Sequence, residues 1–422
     1  MKILCYILLL TTLTSNFLSA QNNLQFYLSA ALRNNPGIKE DMNNIEIKYL
    51  DRSLNNAQFN MPQVSITANY LFAPYFNNSR LITTAPDPEA IGYDPSITNG
   101  GLYSAQLNVT KNIFNSGLTE AYNSQTGLQI LSSGNAIELE KHALHRDITE
   151  QYLASYQAGQ LYYLSRALID TIKQQLKITH ALVFKGLVKE TDYLLLKVEL
   201  ANQQIASDEA FSAFKTNLYQ LNTACGIYDT AMVELQSTEL HTSGPVNESN
   251  FLRQYSIDSM LIVSSQKTLE TKYLPQLSIF ANTGLNAVEL KGIQRRFGVS
   301  AGLNFSYPLF DGGQKSITRQ QSLISAHTIA AQRESQRITI RNKLNEVSGQ
   351  LEVYSRSINA IQSQMKDYEQ ILRLSRSELM RGELTMVEFI TIIRNFLELK
   401  KAEIQTFAGY QQALNQFNYW NW

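Results

Sequence analysis

Cysteine is nearly missing from this chain, which has two, Cys5 and Cys225, in 422 residues. Cys5 lies in an apolar run that follows Lys2, passes through Ile3, Leu10 and Leu13 and reaches small residues at Ser19 and Ala20, so residues 1–20 are expected to be a signal peptide cleaved before Gln21. Cleavage leaves Cys225 alone, which excludes an intramolecular disulfide. Cys5 is placed too early to carry a lipid anchor on a mature first residue, and Cys225 reads as a small packed side chain at a helix end. Beyond the leader no run of 18 apolar residues occurs, so no transmembrane helix is expected and any membrane crossing must be made by strands. Charge of one sign is not in excess either: Lys plus Arg and Asp plus Glu are 36 each, which gives nucleic acid or an anionic surface nothing to hold. Glycine-rich phosphate loops, nucleophile motifs and paired cysteine ligands are all missing, so neither an enzyme nor a cofactor is expected. Glu138, His142 and His145 fall within two turns of one helix, a spacing that would suit a metal; they read instead as solvated helix residues, and no metal site is assigned.

What is present is a duplication. Residues 61–69 (MPQVSITAN) recur as 274–282 (LPQLSIFAN) at an offset of 213. Residues 105–117 recur as 301–313 at an offset of 196, and Lys185-Gly186 recurs as Arg381-Gly382 at the same offset, with Asp192 falling on Glu388 and Tyr193 on Phe389. Equal offsets mean that the stretch between the second and third matches has one fixed length in both copies. The 17 extra residues of the first copy fall between its first two matches, in the loop 73–100, which contains Pro74, Pro86, Pro88 and Pro95.

Around the matched segments the hydrophobic period is two. Val64, Ile66, Ala68, Tyr70 and Phe72 alternate with Gln63, Ser65, Thr67 and Asn69, and Leu71 is the one break; Tyr103, Ala105, Leu107 and Val109 alternate with Ser104, Gln106, Asn108 and Thr110. The second copy repeats this with Leu277, Ile279 and Ala281, then with Phe297, Val299, Ala301, Leu303, Phe305, Tyr307 and Leu309. Each copy is expected to contribute a hairpin, with strands of the length, about 9 to 11 residues, that crosses a bilayer when tilted. Four strands cannot close a barrel, so in a membrane their edges must be paired by other copies of the chain.

Proline is absent from 118–185 and from 314–381, and at about 1.5 Å per residue each run would make a helix on the order of 100 Å long. In the second run Leu344, Val347, Leu351, Tyr354, Ile358, Ile361, Met365, Tyr368, Leu372, Ser375 and Leu379 keep a 3,4 spacing, the seam of a left-handed coiled coil. The first run has a rougher seam, with Gln151, Ser155, Ser165 and Thr179 among its apolar positions. Such residues either loosen the seam or suit a helix wedged between two neighbours. Gly186 and Gly382 end these helices.

This order of elements, occurring twice, resembles the TolC-like outer membrane efflux family. The residues that carry the resemblance are Asn35-Pro36 in the first helix, Pro62 and Pro275 before strands, the strand exits 113–117 (IFNSG) and 307–313 (YPLFDGG), and the turns 186–193 and 382–389. Lys111-Asn112 stands where the second exit has Tyr307-Pro308, a departure from the family's proline-containing form. The resemblance implies a mainly α protein with a transmembrane β portion: a homotrimer whose chains give four strands each to a 12-stranded barrel in outer membrane lipid, continuous with an internally duplicated α-helical coiled-coil barrel in the periplasm. It implies passive export in a tripartite efflux or type I secretion system, with a periplasmic adaptor and an inner-membrane pump of the RND or ABC type. Family acids six positions after the turn glycine narrow the periplasmic mouth; the matching residues are Asp192, preceded by Thr191, and Glu388. By their position in a first helical turn, the same acids equally well complement a helix dipole. The adaptor is expected on the turns, at Lys185, Gly186, Leu187, Arg381, Gly382 and Glu383.

The expected layout is a first repeat over 21–235 (hairpin 62–114, long helix 118–185, returning helix 187–222), a linker over 236–250, and a second repeat over 251–422 (hairpin 275–310, long helix 314–381, returning helix 384–415). The competing reading of the same pattern is a secreted or periplasmic coiled-coil binding or adhesion protein without a pore.

Overall fold

The computed structural model describes residues 22–76, 82–84, 89–94, 97, 101–114, 116–186, 188–229, 231–244, 246 and 248–422. The expected signal peptide and Leu187 lie outside them. The first helices are α1 (Leu24–Asn34) and α2 (Pro36–Asn60). They are separated where expected, because Asn35 caps α2 by accepting from the Ile38 N–H at 2.9 Å and Pro36 takes the first helical position, which needs no donor. Strands β1 (Gln63–Phe72), β2 (Tyr75–Phe76), β3 (Ile82–Thr83) and β4 (Gly101–Phe114) follow, then α3 (Ser116–Phe184) and α4 (Glu190–Ala224). The second half contains α5 (Arg253–Glu270), β5 (Gln276–Ala287), β6 (Phe297–Ser306), α6 (Gln314–Arg381) and α7 (Met386–Trp420).

The segment expected as plain loop holds a small ribbon: β2 pairs with β3, and Phe76 exchanges backbone hydrogen bonds with Ile91 at 2.9 Å. Its anchor is Tyr75, 2% exposed, whose ring lies so close to Gly92 that any side chain there would collide with it.

Contacts group the chain into two units, one of residues up to Asp41 with 135–253 and 333–422, the other of 42–134 with 254–332. Each unit draws on both sequence copies. The second holds an antiparallel sheet in the order β1-β4-β5-β6, so the two hairpins join through β4 and β5. Its register aligns the four alternating patterns. Ile66 stands opposite Leu107, which stands opposite Thr283, which stands opposite Val299; one step along, Val64, Val109, Ala281 and Ala301 form the next row. One face is therefore apolar across all four strands, and the other carries Thr67, Gln106, Asn108, Asn282, Ser300 and Asn304. On the polar face Asn108 donates to the Thr67 hydroxyl at 2.7 Å. Thr283, the hydroxyl on the apolar face, donates to the Gly298 carbonyl at 3.3 Å. A Cβ at Gly284 (φ 152°) would come within 2.2 Å of the Ala105 carbonyl oxygen, so the β4–β5 junction requires glycine there.

In the first unit the seam positions of α6 from Leu344 to Leu379 are all buried or half-buried between exposed neighbours. Tyr354 lies against Gly409 of α7, where a Cβ would be 2.8 Å from its ring. The rough seam of α3 is resolved in favour of a helix wedged between neighbours. Ile148 and Tyr152 pack with Leu24, Tyr27 and Leu28 of α1 and Leu218 and Leu221 of α4, while Ile172 packs with Leu196 of α4 and Met386, Phe389, Ile390 and Ile393 of α7. Ser155 and Ser165 are buried because their hydroxyls donate to carbonyls of their own helix, at 2.8 Å to Gln151 and 2.7 Å to Tyr162. Cys225 caps the C-terminus of α4 with no exposed surface, and burial pushes its thiol up to about 12.

Candidate functional site

The two helix turns of the first unit end their helices in the same way. Gly186 (φ 71°) and Gly382 (φ 73°) both take the left-handed conformation, and each donates to a carbonyl three residues back, Val183 and Leu379, at 2.8 and 3.1 Å. At the second turn Glu383 N–H also reaches the Glu378 carbonyl at 3.0 Å, which completes a Schellman motif. Arg381 is tied to Glu383 at 2.9 Å and donates to Ser377 at 2.9 Å. Lys185 is exposed beside Gly186.

The matched acids differ in their surroundings. Glu388 closes a capping box: its carboxylate accepts from the Thr385 N–H (2.9 Å) and hydroxyl (2.8 Å), while Thr385 Oγ1 accepts from the Glu388 N–H (3.3 Å). Those donors, the Thr385 backbone first, hold its carboxyl below the usual range. Asp192 sits in the first turn of α4, whose N-cap, Lys189, offers no side-chain hydrogen bond. It lines an open cleft of about 560 Å³ with Thr179, Gly186 and Lys189 on one side and Leu379, Gly382 and Thr385 on the other. The cleft thus brings Asp192 together with both turn glycines, and Glu388 is engaged elsewhere. Thr191 is exposed next to Asp192, and Thr391, three residues past Glu388, donates to the Val387 carbonyl at 2.9 Å.

A nearby ion pair escaped the sequence reading. Glu199 of α4, its side chain 4% exposed, meets Arg394 of α7 through both Nη2 and Nε, and accepts from Gln203 at 2.9 Å. Burial alone would raise this carboxyl, but Arg394 and Gln203 hold it below the usual range. The signal was available: Leu196, Gln203, Ser207, Phe214, Leu218 and Leu221 form a buried or half-buried 3,4 seam, and Glu199 puts a carboxylate in it. Because its folded pKa is depressed, Glu199 adds stability above its unfolded pKa, near 4.5, and that contribution is lost as pH falls through the folded value. Arg394→Ala strands a buried carboxylate, and is expected to cost about 2 kcal/mol at neutral pH, less than for a fully buried pair because the guanidinium is half exposed. Thermal unfolding followed by helical circular dichroism should show the deficit at pH 7 and a much smaller one at a pH below the depressed folded pKa of Glu199, where the carboxyl is neutral in variant and wild type alike. An equal deficit at both values would mean that Arg394 acts by packing alone.

Of the two histidines spaced for a metal, His142 is otherwise engaged. The His142 ring lies between Trp422 (4.0 Å, 12°) and Tyr419 (4.9 Å, 11°), with Nε2 2.9 Å from the Tyr419 carbonyl oxygen. Burial lowers the pKa of both His142 and His145. Glu138 pairs with Lys141 at 2.8 Å. Among the described residues no three His, Cys, Asp or Glu side chains are gathered as a metal ion would require.

Known proteins share this fold. Residues 266–418 match the family described as outer membrane efflux protein. No curated protein matches the chain. Among solved structures it is similar to the CmeC outer membrane channel of Campylobacter jejuni, with a TM-score of 0.70 at 14% identity over 94% of this chain and 85% of that one. It is similar also to the outer membrane protein VceC of Vibrio cholerae, at 0.69 and 13% over 94% and 96%. The open state of the MtrE outer membrane channel of Neisseria gonorrhoeae gives 0.70 and 12% over 94% and 88%. At these identities the likeness is one of fold, and the fold is that of TolC-like channels. The family match over residues 266–418 is consistent with that fold.

Proposed function

We propose that three copies of this chain form a pore in the outer membrane, through which molecules delivered by an inner-membrane pump and a periplasmic adaptor leave the cell passively. The observation that carries this reading is the register of the sheet. No helix among the described residues is long and apolar enough to cross a membrane, yet one sheet face is apolar across four strands and open to solvent in the single chain, with Ile66 80%, Val299 77% and Leu303 66% exposed. Strand β1, of ten residues, runs roughly 33 Å, or about 25 Å of membrane normal at a tilt near 40°, the height of a barrel's apolar band. Strands β1 and β6 each have one neighbour in the sheet, so each offers a free edge to another copy. Three copies supply the twelve strands that close it. A secreted adhesion protein would have to leave this face in water.

The cleft between the turns is the proposed adaptor seat, and Asp192 is the better placed of the two gate acids because the carboxylate of Glu388 is spent on its own helix end. Three Asp192 carboxylates near the axis would favour cations. In planar bilayers the purified protein should conduct, and Asp192→Asn with Glu388→Gln should lower its cation preference, most of the change coming from Asp192→Asn alone. Unchanged selectivity in the double variant removes the gate assignment and leaves the pore standing.

A further inference from the structure

The four long strands contain one ionisable group that carries charge at neutral pH, Lys111, and the register places it opposite Ile279, on the apolar face and near the helix end of β4. Every residue on the opposite face is uncharged. That face is a field of amides and hydroxyls, represented by Thr67, Gln106, Asn108, Asn282, Ser300 and Asn304, and the 2.7 Å bond from Asn108 to Thr67 shows two of them side by side on it. Phe280 is its aromatic member, and its ring leans onto Gly302, within 2.6 Å of where a Cβ would stand, so it lies along the wall. Following the row past the strands, the first charge met is Arg296 in the β5–β6 turn, whose carbonyl accepts from the Asn286 N–H at 3.2 Å.

We propose that the strand-built part of the pore is a charge-free wall that selects by size and hydrogen bonding. Uncharged polar molecules and ions of either sign then pass it alike, and any charge preference of the protein arises outside the strands. This rests on the pore reading and says which molecules that pore accepts. In a barrel of three chains any charged residue on this face would appear three times at one level. Three like charges about 10 Å from the axis, screened by salt over a similar distance, would change the local concentration of a monovalent ion roughly two-fold and the ratio of cations to anions roughly five-fold, even in water-like surroundings. Amide and hydroxyl dipoles can turn to meet a cation or an anion, and so offer either sign a hydrogen-bonding partner in place of lost water.

Cysteine chemistry tests this directly, because Cys225 is fully buried with a strongly raised thiol pKa, so the background is silent. Asn108→Cys and Asn282→Cys, each in the full chain, are exposed to cationic and to anionic methanethiosulfonates while conductance is recorded in planar bilayers. The rate ratio of the two reagents is divided by their ratio on a small thiol in solution. Salt screens charges beyond about 10 Å, so the quotient reports the local wall and not distant acids. The expected quotient lies within about two-fold of one, and in the Asn108→Cys/Asn282→Asp variant, where the two positions face each other across β4 and β5, it should move toward the cation about five-fold. Ile279→Cys, facing lipid, should react with neither reagent. A quotient displaced about tenfold in the single variants, no response to the added aspartate, or a conducting pore whose Asn108→Cys and Asn282→Cys forms do not react would each overturn the proposal. A wild-type protein that never conducts would instead remove the pore reading on which it rests.

Discussion

Ile66→Arg is expected to abolish assembly in the outer membrane, and Thr67→Arg, one residue along, is expected to be tolerated. Ile66 is the most exposed of the large apolar residues of β1 and lies mid-strand on the apolar face, opposite Leu107. An arginine on the lipid face near the bilayer midplane costs roughly 2–4 kcal/mol, and three chains multiply it. Thr67 points to the other face, opposite Gln106, where an arginine meets water. The contrast between neighbours is what a one-residue alternation demands, and a soluble half-buried sheet would not show it in membrane fractionation. Heat-resistant oligomers recovered from the membrane fraction for Thr67→Arg and missing for Ile66→Arg are the expected pair; equal behaviour of the two contradicts the assignment of faces.

The second large effect is expected at the turn. Deleting Arg381, Gly382 and Glu383 removes the left-handed residue, both Schellman hydrogen bonds and one side of the cleft that holds Asp192. Export, measured as resistance to a transported compound, should fall to the level of cells lacking the protein, while the amount of oligomer in the outer membrane stays unchanged, because the turn shares no unit with the sheet. Gly382→Val is the milder version, costing roughly 1–2 kcal/mol of backbone strain at a left-handed position. Undiminished export after the deletion would remove the docking assignment; loss of oligomers would mean that the turn serves folding instead.

Much of the fold was legible because its periods are simple. The 3,4 seam from Leu344 to Leu379 is the stripe that α6 buries, and the alternation around Val64 and Leu107 becomes one face because antiparallel pairing keeps like rows together. Asn35-Pro36 and the two turn glycines mark breaks that local geometry dictates. The rest depends on partners that a period does not name. Ser155, Ser165 and Thr179 look like faults in a seam until a second neighbour is known, and the burial of Tyr75 depends on Gly92, 17 residues away. Returning helix α7 continues to Trp420, past the expected end near 415, because Tyr419 and Trp422 stack on His142 of α3 and Asn418 holds the linker through Ser243 and His241. At the site, the equal spacing of Asp192 and Glu388 from their glycines hid a difference that one residue makes: Thr385 can cap a helix and Lys189 cannot.

Native mass spectrometry of the protein extracted from outer membranes in detergent asks most directly whether strands from several copies complete one barrel. The expected result is a single species of three chains, each no heavier than the 47.8 kDa of the full sequence. A chain that stays monomeric and remains in solution without detergent would contradict it, since the apolar face of β1, β4, β5 and β6 would then have no lipid to meet and their edges no partner.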